Sequence, residues 1–533
     1  MRKTKMNLSL PYPSVRQPIY GDNVVATSQP LAAQAGLAML ARGGNAIDAT
    51  IAAAMALTVT EPTGCGIGSD AFAIVWDGEA LHGLNASGRS PTGWTHERFA
   101  DKGKMPERGW DSVTVPGAVS AWIALWERFG SLPLDVIAEP AVRYAEDGFP
   151  LSPTIAKLWK AGAEILSEQP GFRETFLANG DAPHAGSRVR LPDHGATLRM
   201  IAESRGEDFY RGELARRIAL EAGKHGAVLL ERDLAAHKAE WTQTISTRFQ
   251  DSLVHELPPN GQGIATLIGL GILDRFDFRS FEIDSAEAVH LAIEATKLAL
   301  VDVDRHVADI DAMRLSPDEL LAPSYLDERA KLVDRNRAGD PKHGAPKPGG
   351  TVYLTVADAQ GRMVSFIQSN YMGFGSGVVV PGTGISLQNR GAGFTLERGH
   401  PNVVAPGKRP FHTIIPGFAT DLGGDPTMSF GVMGGPMQAQ GHLQMALRVI
   451  GYGQNPQAAA DAPRWRIMSG RKVAVESSFD PDLVEALRSR GHDIVVESPD
   501  GVFGFGGAQL IVRGESGYVA GSDPRKDGQA VAF

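Results

Sequence analysis

The chain has 533 residues, of which 43% are hydrophobic and 21% are charged, and its formal net charge is −9. This composition is typical of a globular protein with one large domain or two to three average ones. The acidic balance argues against a nucleic-acid-binding protein, which needs a basic face, but it is compatible with a small neutral or anionic substrate.

The N-terminal segment starts with positive charge, but Pro11 and Pro13 interrupt it before an apolar run of about 7 to 15 residues can form. No stretch reaches the roughly 20 apolar residues of a membrane-spanning helix. We therefore expect a cytoplasmic protein without membrane or nucleic-acid partners. The single cysteine, Cys65, excludes an intramolecular disulfide, and its glycine-rich surroundings favour a buried small residue over a catalytic thiol.

The first 90 residues predict a buried helix followed by a hairpin. Asn45 is a capping residue in front of an alanine-rich stretch, 46–59, which predicts a helix buried on most sides. A glycine-rich turn over 64–68 leads into an apolar strand over 71–76, and a tight turn brings in a second strand. This leaves Arg89 on a loop at the end of a strand.

Beyond this hairpin the pattern becomes helical and then changes to strands. From Val113 to about Leu332, apolar residues recur every three or four positions, which predicts amphipathic helices that cover a sheet. A linker over 335–350 leads into the second half. The elements predicted there are strands over 351–358, 363–369, 377–380 and 385–389, a helix from about 436 to 449, and a last pair of strands around 501–507. Together they predict an α+β fold of packed layers, in which a cut at the linker leaves two pieces that share one core.

Thr351 stands at the junction between the linker and a buried strand. If the chain is cut there, the threonine hydroxyl becomes a nucleophile and its own α-amine a general base. An α-amine titrates at about 7.7 to 8.0, so a useful fraction is unprotonated near neutral pH. The alternative is that Thr351 is merely the first residue of a strand.

Gly434 and Gly435 follow an apolar strand and precede a helix. Two backbone amides at such a turn have the arrangement of an oxyanion hole, which stabilises charge that develops in a transition state. Taken alone, however, the pair is better explained by a tight turn that needs small residues.

Other catalytic motifs find no support. The turn 64–68 lacks the third glycine of a dinucleotide fingerprint and follows a helix instead of a strand. The histidines show no metal-ligand spacing, and no serine lies in a Gly-x-Ser-x-Gly elbow; the residues concerned are His400, His412, His442, Ser69 and Ser376. We therefore expect neither a metal nor a cofactor.

Several segments together resemble the γ-glutamyltransferase family of N-terminal-nucleophile hydrolases, along nearly the whole chain from Gly43. The resemblance rests on their order and spacing, because each match alone is weak. The matching segments are 43–49, Glu61-Pro62, 115–117, 146–149, 351–358, 374–378, 408–410, Gly434-Gly435 and 523–525. This resemblance implies a four-layer αββα sandwich and a precursor that cleaves itself before its nucleophile.

Residue by residue, the resemblance makes Thr351 the nucleophile and places the cleavage between Gly350 and Thr351, giving a large piece 1–350 and a small piece 351–533. Ser369 matches the family's second hydroxyl. Gly434 and Gly435 match the oxyanion donors, which now outweighs the tight-turn explanation. The resemblance also allows two such pairs of pieces to join as a heterotetramer.

Arg89 matches the arginine that holds the substrate carboxylate in the family, a task that suits a bidentate guanidinium. Its position on a loop at a strand end favours this role over a structural ion pair.

The departures from the family pattern concentrate in the substrate pocket. Gly393 stands where γ-glutamyl enzymes carry the acidic residue that binds the substrate ammonium, and Arg390 adds positive charge nearby. His412 and Thr413 replace the family's paired serines, and Tyr371 replaces a polar residue. Arg390 is either a substrate ligand or part of a surface salt bridge, and the sequence does not choose between them.

This pattern is similar to the branch of the family that includes oxamate amidohydrolase. The sequence therefore predicts a self-processing amidohydrolase for a small carboxylate-bearing amide. The alternatives are a γ-glutamyltransferase or glutathione hydrolase, and an inactive scaffold.

Overall fold

The computed structural model describes residues 15–341, 349–499 and 504–533. Two seven-stranded sheets pack face to face, and helices cover the outer face of each sheet. All strand pairs within these two sheets are antiparallel. The predicted four-layer αββα sandwich is therefore confirmed.

The strands number 21 in the described residues. In chain order they are β1 (Ile19–Gly21), β2 (Val24–Thr27), β3 (Asp70–Trp76), β4 (Leu81–Asn85), β5 (Phe149–Pro150), β6 (Arg188–Val189), β7 (Glu240–Thr242), β8 (Ile245–Phe249), β9 (Ser252–Glu256), β10 (Gly350–Ala357), β11 (Met363–Tyr371), β12 (Val379–Val380), β13 (Ile385–Ser386), β14 (Gly417–Asp421), β15 (Pro426–Met433), β16 (Trp465–Ser469), β17 (Lys472–Glu476), β18 (Asp493–Glu497), β19 (Gly507–Arg513), β20 (Tyr518–Ser522) and β21 (Gln529–Ala532).

The α-helices of the described residues are α1 (Pro30–Ala41), α2 (Ala46–Thr60), α3 (Ala118–Phe129), α4 (Leu134–Asp147), α5 (Pro153–Leu166), α6 (Phe172–Phe176), α7 (Pro192–Ser204), α8 (Glu207–Tyr210), α9 (Glu213–Lys224), α10 (Glu231–Ala235), α11 (Ile264–Leu273), α12 (Ala286–His306), α13 (Pro317–Leu321), α14 (Pro323–Ala330), α15 (Met437–Ala446), α16 (Pro456–Asp461) and α17 (Pro481–Ser489).

The order of the first sheet is β1-β20-β19-β15-β14-β9-β8, and that of the second is β21-β2-β10-β11-β3-β4-β7. Helices α11, α15 and α16 pack on the first sheet, and α1, α2 and α3 pack on the second. The central strands β10 and β11 are buried along their whole length, because one face meets the other sheet and the opposite face meets a helix layer.

Helix α2 is buried at every position and shows why the alanine-rich pattern predicts close packing. The Asn45 side chain accepts hydrogen bonds from the amides of Ile47 and Asp48, and the Asp48 carboxylate accepts one from the Asn45 amide. This capping box satisfies amide groups that the first helical turn leaves without partners. Small side chains then let α2 approach its neighbours on all sides.

The strand order places the predicted nucleophile on a central strand of the second sheet, β10. Gly350 lies opposite Tyr371, Val352 lies opposite Gln368, and an irregularity in the pairing falls between them at Thr351. On the other side of β11, Ser369 lies opposite Asp70 of β3. Residues of three adjacent strands, β10, β11 and β3, thus lie side by side at the same end of these strands.

Two parts of the predicted secondary structure are wrong. The region 113–332 is not only helical, because it also contains the sheet strands β7, β8 and β9. These are short strands at or near sheet edges with half-exposed side chains, so they lack a strong apolar signal. The last two predicted strands, β18 and β19, flank 501–507 but lie in different sheets and do not pair with each other.

Part of the predicted linker 335–350 is attached to the fold, whereas 342–348 lie outside the described residues. The Ala338 amide donates to the carbonyl of Arg490, and the Gly339 amide donates to Glu294. Polar and charged composition therefore did not distinguish an anchored segment from a linker.

Cys65 is buried, as predicted, and burial raises its thiol pKa well above the usual value. Within the described residues, no helix combines the length and apolar character that crossing a membrane requires.

Candidate active site

Thr351 is fully buried at the start of β10, and its hydroxyl faces the peptide bond that precedes it. Thr351 Oγ1 lies 2.7 Å from the carbonyl oxygen of Gly350 and 3.2 Å from Ser369 Oγ. The Gly350–Thr351 peptide bond is intact in this structure, so the geometry is that of an uncut chain. The predicted nucleophile and its second hydroxyl are brought together at the predicted cleavage site.

Ser369 presents its hydroxyl hydrogen to the Gly350 carbonyl. Its Oγ accepts a hydrogen bond of 2.7 Å from the Tyr371 amide and donates one of 2.7 Å to the Gly350 carbonyl oxygen. The amide uses only a lone pair of Oγ, so the hydroxyl hydrogen remains available to the carbonyl oxygen. A donor in this position polarises the carbonyl group that the Thr351 hydroxyl faces.

The Gly434–Gly435 turn connects β15 to α15 and lies against the residues before the cleavage site. Both glycines have positive φ, 125° and 61°, a backbone conformation that other residues rarely adopt. A Cβ placed on Gly349 would lie 3.2 Å from the Cα of Gly435. Within the described part of the chain, neither the Gly434 nor the Gly435 amide donates to a protein acceptor. Two amides are thus available beside the scissile segment, as an oxyanion hole requires.

Two glutamines that sequence reasoning did not single out tie these parts together. The Gln438 amide group donates to Thr351 Oγ1 at 3.3 Å, and its oxygen accepts from the Ile415 amide. Gln262 donates to the carbonyls of Gly435 and Thr413. Gln262 therefore joins the glycine turn to the segment that carries the predicted pocket residues. Only the tertiary structure brings these distant segments together.

Arg390 is a buried cation with unused hydrogen-bonding capacity. It is 1% exposed, and its Nη1 donates to Thr413 Oγ1 at 2.9 Å. Its Nε and Nη2 have no hydrogen-bond partner in the described part of the chain, and no carboxylate there forms a salt bridge with it. Burial lowers the pKa of Arg390 to about 10, but the group remains charged at neutral pH. This excludes the surface salt bridge that the sequence left open for Arg390.

Tyr371 connects Arg390 to the cleavage site. The Cζ atom of Arg390 lies 4.7 Å from the centre of the Tyr371 ring, and Tyr371 is the strand partner of Gly350. Tyr371 also has a φ of 78°, which is unusual for a residue with a side chain and concentrates backbone strain next to Ser369. Tyr371 thus links the two parts of the site, because its ring contacts the Arg390 guanidinium and its backbone pairs with Gly350.

His412 and Thr413 belong to the same part of the site as Arg390. Thr413 Oγ1 accepts the hydrogen bond from Arg390, and its carbonyl accepts the one from Gln262. His412 is fully buried, with Nε2 3.1 Å from Asp70 Oδ2. Asp70 is a further site residue that sequence reasoning missed, since it lies between the glycine-rich turn 64–68 and the predicted strand 71–76, where no local motif marks it.

Arg89 does not join this cluster through any contact within the described residues. Its guanidinium pairs with Asp309 at 3.1 Å and Glu240 at 3.7 Å, and it also donates to the Gly407 carbonyl. It lines a separate cavity of about 330 Å³ together with His237 and Arg409. These contacts are those of a structural ion pair, and the role of Arg89 as a substrate ligand stays a prediction.

One cluster of potential metal ligands lies elsewhere in the described residues, at His290, Glu294 and His492. Its atoms already interact with each other and with Lys297, which pairs with Glu294 at 2.8 Å and contacts His492. None of these contacts involves a residue that is hydrogen-bonded to Thr351.

Comparisons with known proteins agree with this geometry. The model of the gamma-glutamyltranspeptidase family matches residues 32–533. The chain is 38% identical over 517 residues to the oxamate amidohydrolase proenzyme of Klebsiella pneumoniae, covering 94% of this chain and 97% of that protein. It is 36% identical over 522 residues to the glutathione hydrolase-like YwrD proenzyme of Bacillus subtilis, covering 96% and 98%.

Among solved structures, the cephalosporin acylase from Bacillus halodurans superposes with a TM-score of 0.95 at 49% identity, covering 99% of both chains. The chain therefore belongs to the gamma-glutamyltranspeptidase family, a class of enzymes made as proenzymes. It is an N-terminal-nucleophile hydrolase or acylase by family, as the sequence resemblance predicted.

Proposed function

We propose that this protein is a self-cleaving amidohydrolase that hydrolyses a small carboxylate-bearing amide through a threonyl acyl-enzyme. The observation that carries the proposal is the buried Arg390, which has two unpartnered nitrogens and lies over the ring of Tyr371, the strand partner of Gly350. A guanidinium with free donors in a dry site is suited to bind a carboxylate.

The contacts of Thr351 support self-cleavage. The Thr351 hydroxyl oxygen attacks the Gly350 carbonyl carbon, the Gly350–Thr351 C–N bond breaks, and the hydroxyl proton is transferred to the leaving nitrogen, which gives an ester and a free amine on Thr351. Ser369 supports this step because it donates to the carbonyl oxygen on which negative charge develops. Water then hydrolyses the ester and gives subunits 1–350 and 351–533, with a free amine on Thr351.

In turnover, Thr351 Oγ1 attacks the substrate amide carbonyl, and its α-amine takes the hydroxyl proton and passes it to the leaving nitrogen. The amides of Gly434 and Gly435 stabilise the oxyanion. Water resolves the acyl-enzyme, and an amine acceptor in its place would give transfer. No cofactor enters this scheme. The cytoplasmic location and the pairing of subunits into a heterotetramer stay predictions.

A γ-glutamyl substrate is the second candidate, because the chain resembles a protein described as glutathione hydrolase-like. The geometry around Gly393 weighs against it. A Cβ on Gly393 would lie 2.5 Å from the Phe411 carbonyl oxygen, so this position has no room for an acidic side chain that could bind the substrate ammonium. Arg390 would in addition repel that ammonium.

Denaturing gels and mass spectrometry test the self-cleavage. Wild-type protein should give the pieces 1–350 and 351–533, whereas T351A should remain one chain of 533 residues. T355A is the matched control, because Thr355 is another buried threonine on β10 and should not affect the cut. An uncut wild type that hydrolyses amides at full rate would refute the mechanism.

A panel of oxamate, its neutral analogue oxamide, and glutathione then tests the specificity. We expect oxamate to have the highest kcat/KM. Preferred release of glutamate from glutathione would favour the second candidate, and no turnover of any amide would favour an inactive scaffold.

A further inference from the structure

Asp70 is a buried carboxyl group next to the candidate active site, and none of the catalytic steps above uses it. It is fully buried on β3, directly opposite Ser369 of β11. Its Oδ1 accepts hydrogen bonds from the amides of Gly88 at 3.2 Å and Gly117 at 3.0 Å. Its Oδ2 faces His412 Nε2 at 3.1 Å.

The hydrogen bonds of His412 identify its tautomer. The Ile414 amide donates to His412 Nδ1 at 3.4 Å, so the ring hydrogen is on Nε2 and is donated to Asp70. Burial, together with the charges of Arg390 and Arg409, keeps the pKa of His412 well below its usual value, so the ring is neutral. Three donors therefore point at Asp70 and support its ionised form, but none of them is a cation.

Asp70 is also linked to the Arg390 site, because it contacts His412, whose neighbour Thr413 accepts the hydrogen bond of Arg390 Nη1. The charge of Asp70 raises the pKa of Arg390 and so opposes part of the effect of burial. The two groups form no direct ion pair, because Arg390 Nη1 is bonded to Thr413 and its other nitrogens are unpartnered. Arg390 thus keeps free donors for a second anion, because Asp70 is not hydrogen-bonded to it. Two carboxylates near one guanidinium in a dry site repel each other, so an anion bound at Arg390 favours protonation of Asp70.

We propose that Asp70 is the resident counter-charge of the Arg390 site and takes up a proton when a carboxylate-bearing amide binds there. The proposal relies on the proposed function for the nature of the anion, but its main test does not require turnover. It adds a specificity-determining residue, because the protonation state of Asp70 sets how well the site accepts an anionic substrate compared with a neutral one.

The other groups around Asp70 do not supply this proton exchange. Arg409 pairs with Glu240 at 2.8 Å, and the Tyr210 hydroxyl donates to the Pro116 carbonyl, with its pKa raised by burial. His412 remains neutral, as argued above. Burial raises the pKa of Asp70 to about 7, so the free site loses this proton as the pH rises through neutrality. Affinity for an anion therefore falls with rising pH, and affinity for a neutral ligand does not.

Calorimetric titration of the mature wild-type enzyme with oxalate tests the proposal directly, since oxalate carries the carboxylate but no amide bond. Titrations near pH 7.5 in two buffers of different ionisation enthalpy should reveal net uptake of up to one proton per oxalate bound. The D70N variant should bind oxalate without this uptake. Absence of oxalate binding, absence of proton uptake in the wild type, or uptake that persists in D70N would overturn the proposal, the last by pointing to the Thr351 amine.

A matched control is E256Q, because Glu256 forms a similar buried pair with His442 at 2.7 Å but lies outside the active-site contacts. E256Q should retain the uptake. If D70N does not fold, infrared difference spectra of wild-type protein with labelled aspartate replace it. Addition of oxalate should then produce the carbonyl band of a protonated aspartic acid, and its absence would overturn the proposal.

Kinetics provide an independent readout. The titration of the Thr351 amine affects kcat/KM for oxamate and for oxamide equally, so its effect cancels in the ratio of the two. With an Asp70 pKa of about 7, this ratio should fall by up to about 25-fold between about pH 6.5 and about pH 8.5, and it should be nearly constant in D70N. A flat wild-type ratio would contradict the proposal. If oxamate is not hydrolysed but oxalate binds with proton uptake, the proposed function fails and the role of Asp70 stands.

Discussion

Replacing Arg390 with methionine should separate substrate specificity from stability. The change removes the charge and the two free donors but keeps a long side chain over Tyr371. Loss of charge-assisted hydrogen bonds to a buried carboxylate costs about 2 to 4 kcal/mol, which corresponds to about 30- to 1000-fold in kcat/KM for oxamate. Oxamide, which has no carboxylate, should lose much less.

The same substitution should not destabilise the protein. Arg390 is 1% exposed and forms no salt bridge within the described residues, so the folded state carries the cost of a buried and poorly paired charge. Replacement of such a charge by an apolar side chain is often neutral or stabilising by about 1 to 4 kcal/mol. R390M should therefore unfold at the wild-type temperature or above, best measured near pH 6, where Asp70 is protonated.

The assay combines kcat/KM for oxamate and oxamide with thermal unfolding of the mature enzyme. R390K is the informative companion, because it keeps the charge but not the planar fork, and should recover part of the oxamate activity. Equal losses of kcat/KM for oxamate and oxamide, or a clear drop in the unfolding temperature of R390M, would refute the proposal that Arg390 binds an anionic substrate.

Other substitutions test the remaining parts of the site. S369A removes the donor to the Gly350 carbonyl and should slow self-cleavage by about 100-fold or more on a gel time course, whereas unchanged cleavage would exclude Ser369 from that step. G435A forces an alanine into a left-handed conformation at a cost of about 1 to 2 kcal/mol, and both cleavage and turnover should fall because the turn must move; normal rates would count against an oxyanion role. Cys65 should react with a thiol reagent only after unfolding, and rapid labelling of the native protein would contradict its buried, high-pKa state.

Local sequence determined the strand elements around the nucleophile. The linker-to-strand junction at Thr351, the hairpin that carries Ser369 and the strand–Gly434-Gly435–helix turn were all predicted from neighbouring residues, and the structure brings them together. Such features follow from apolar periodicity and from the few residues that a turn tolerates, which are properties of a short window. The family resemblance supplied their chemical roles, and the family itself is confirmed.

The substrate pocket could not be predicted in the same way. Arg89 and Arg390 look alike as residues, but Arg89 pairs with Asp309, 220 positions away, while Arg390 forms no salt bridge in the described part of the chain. Asp70 likewise has its side-chain partner in a distant segment, since it contacts His412, 342 positions later. Whether a charge is neutralised, buried or left available depends on desolvation and on partners from distant segments. The sequence by itself thus predicted the candidate nucleophile, the turn and the layered fold, and only the packing of the chain decided which charges are paired and which are buried without a salt bridge.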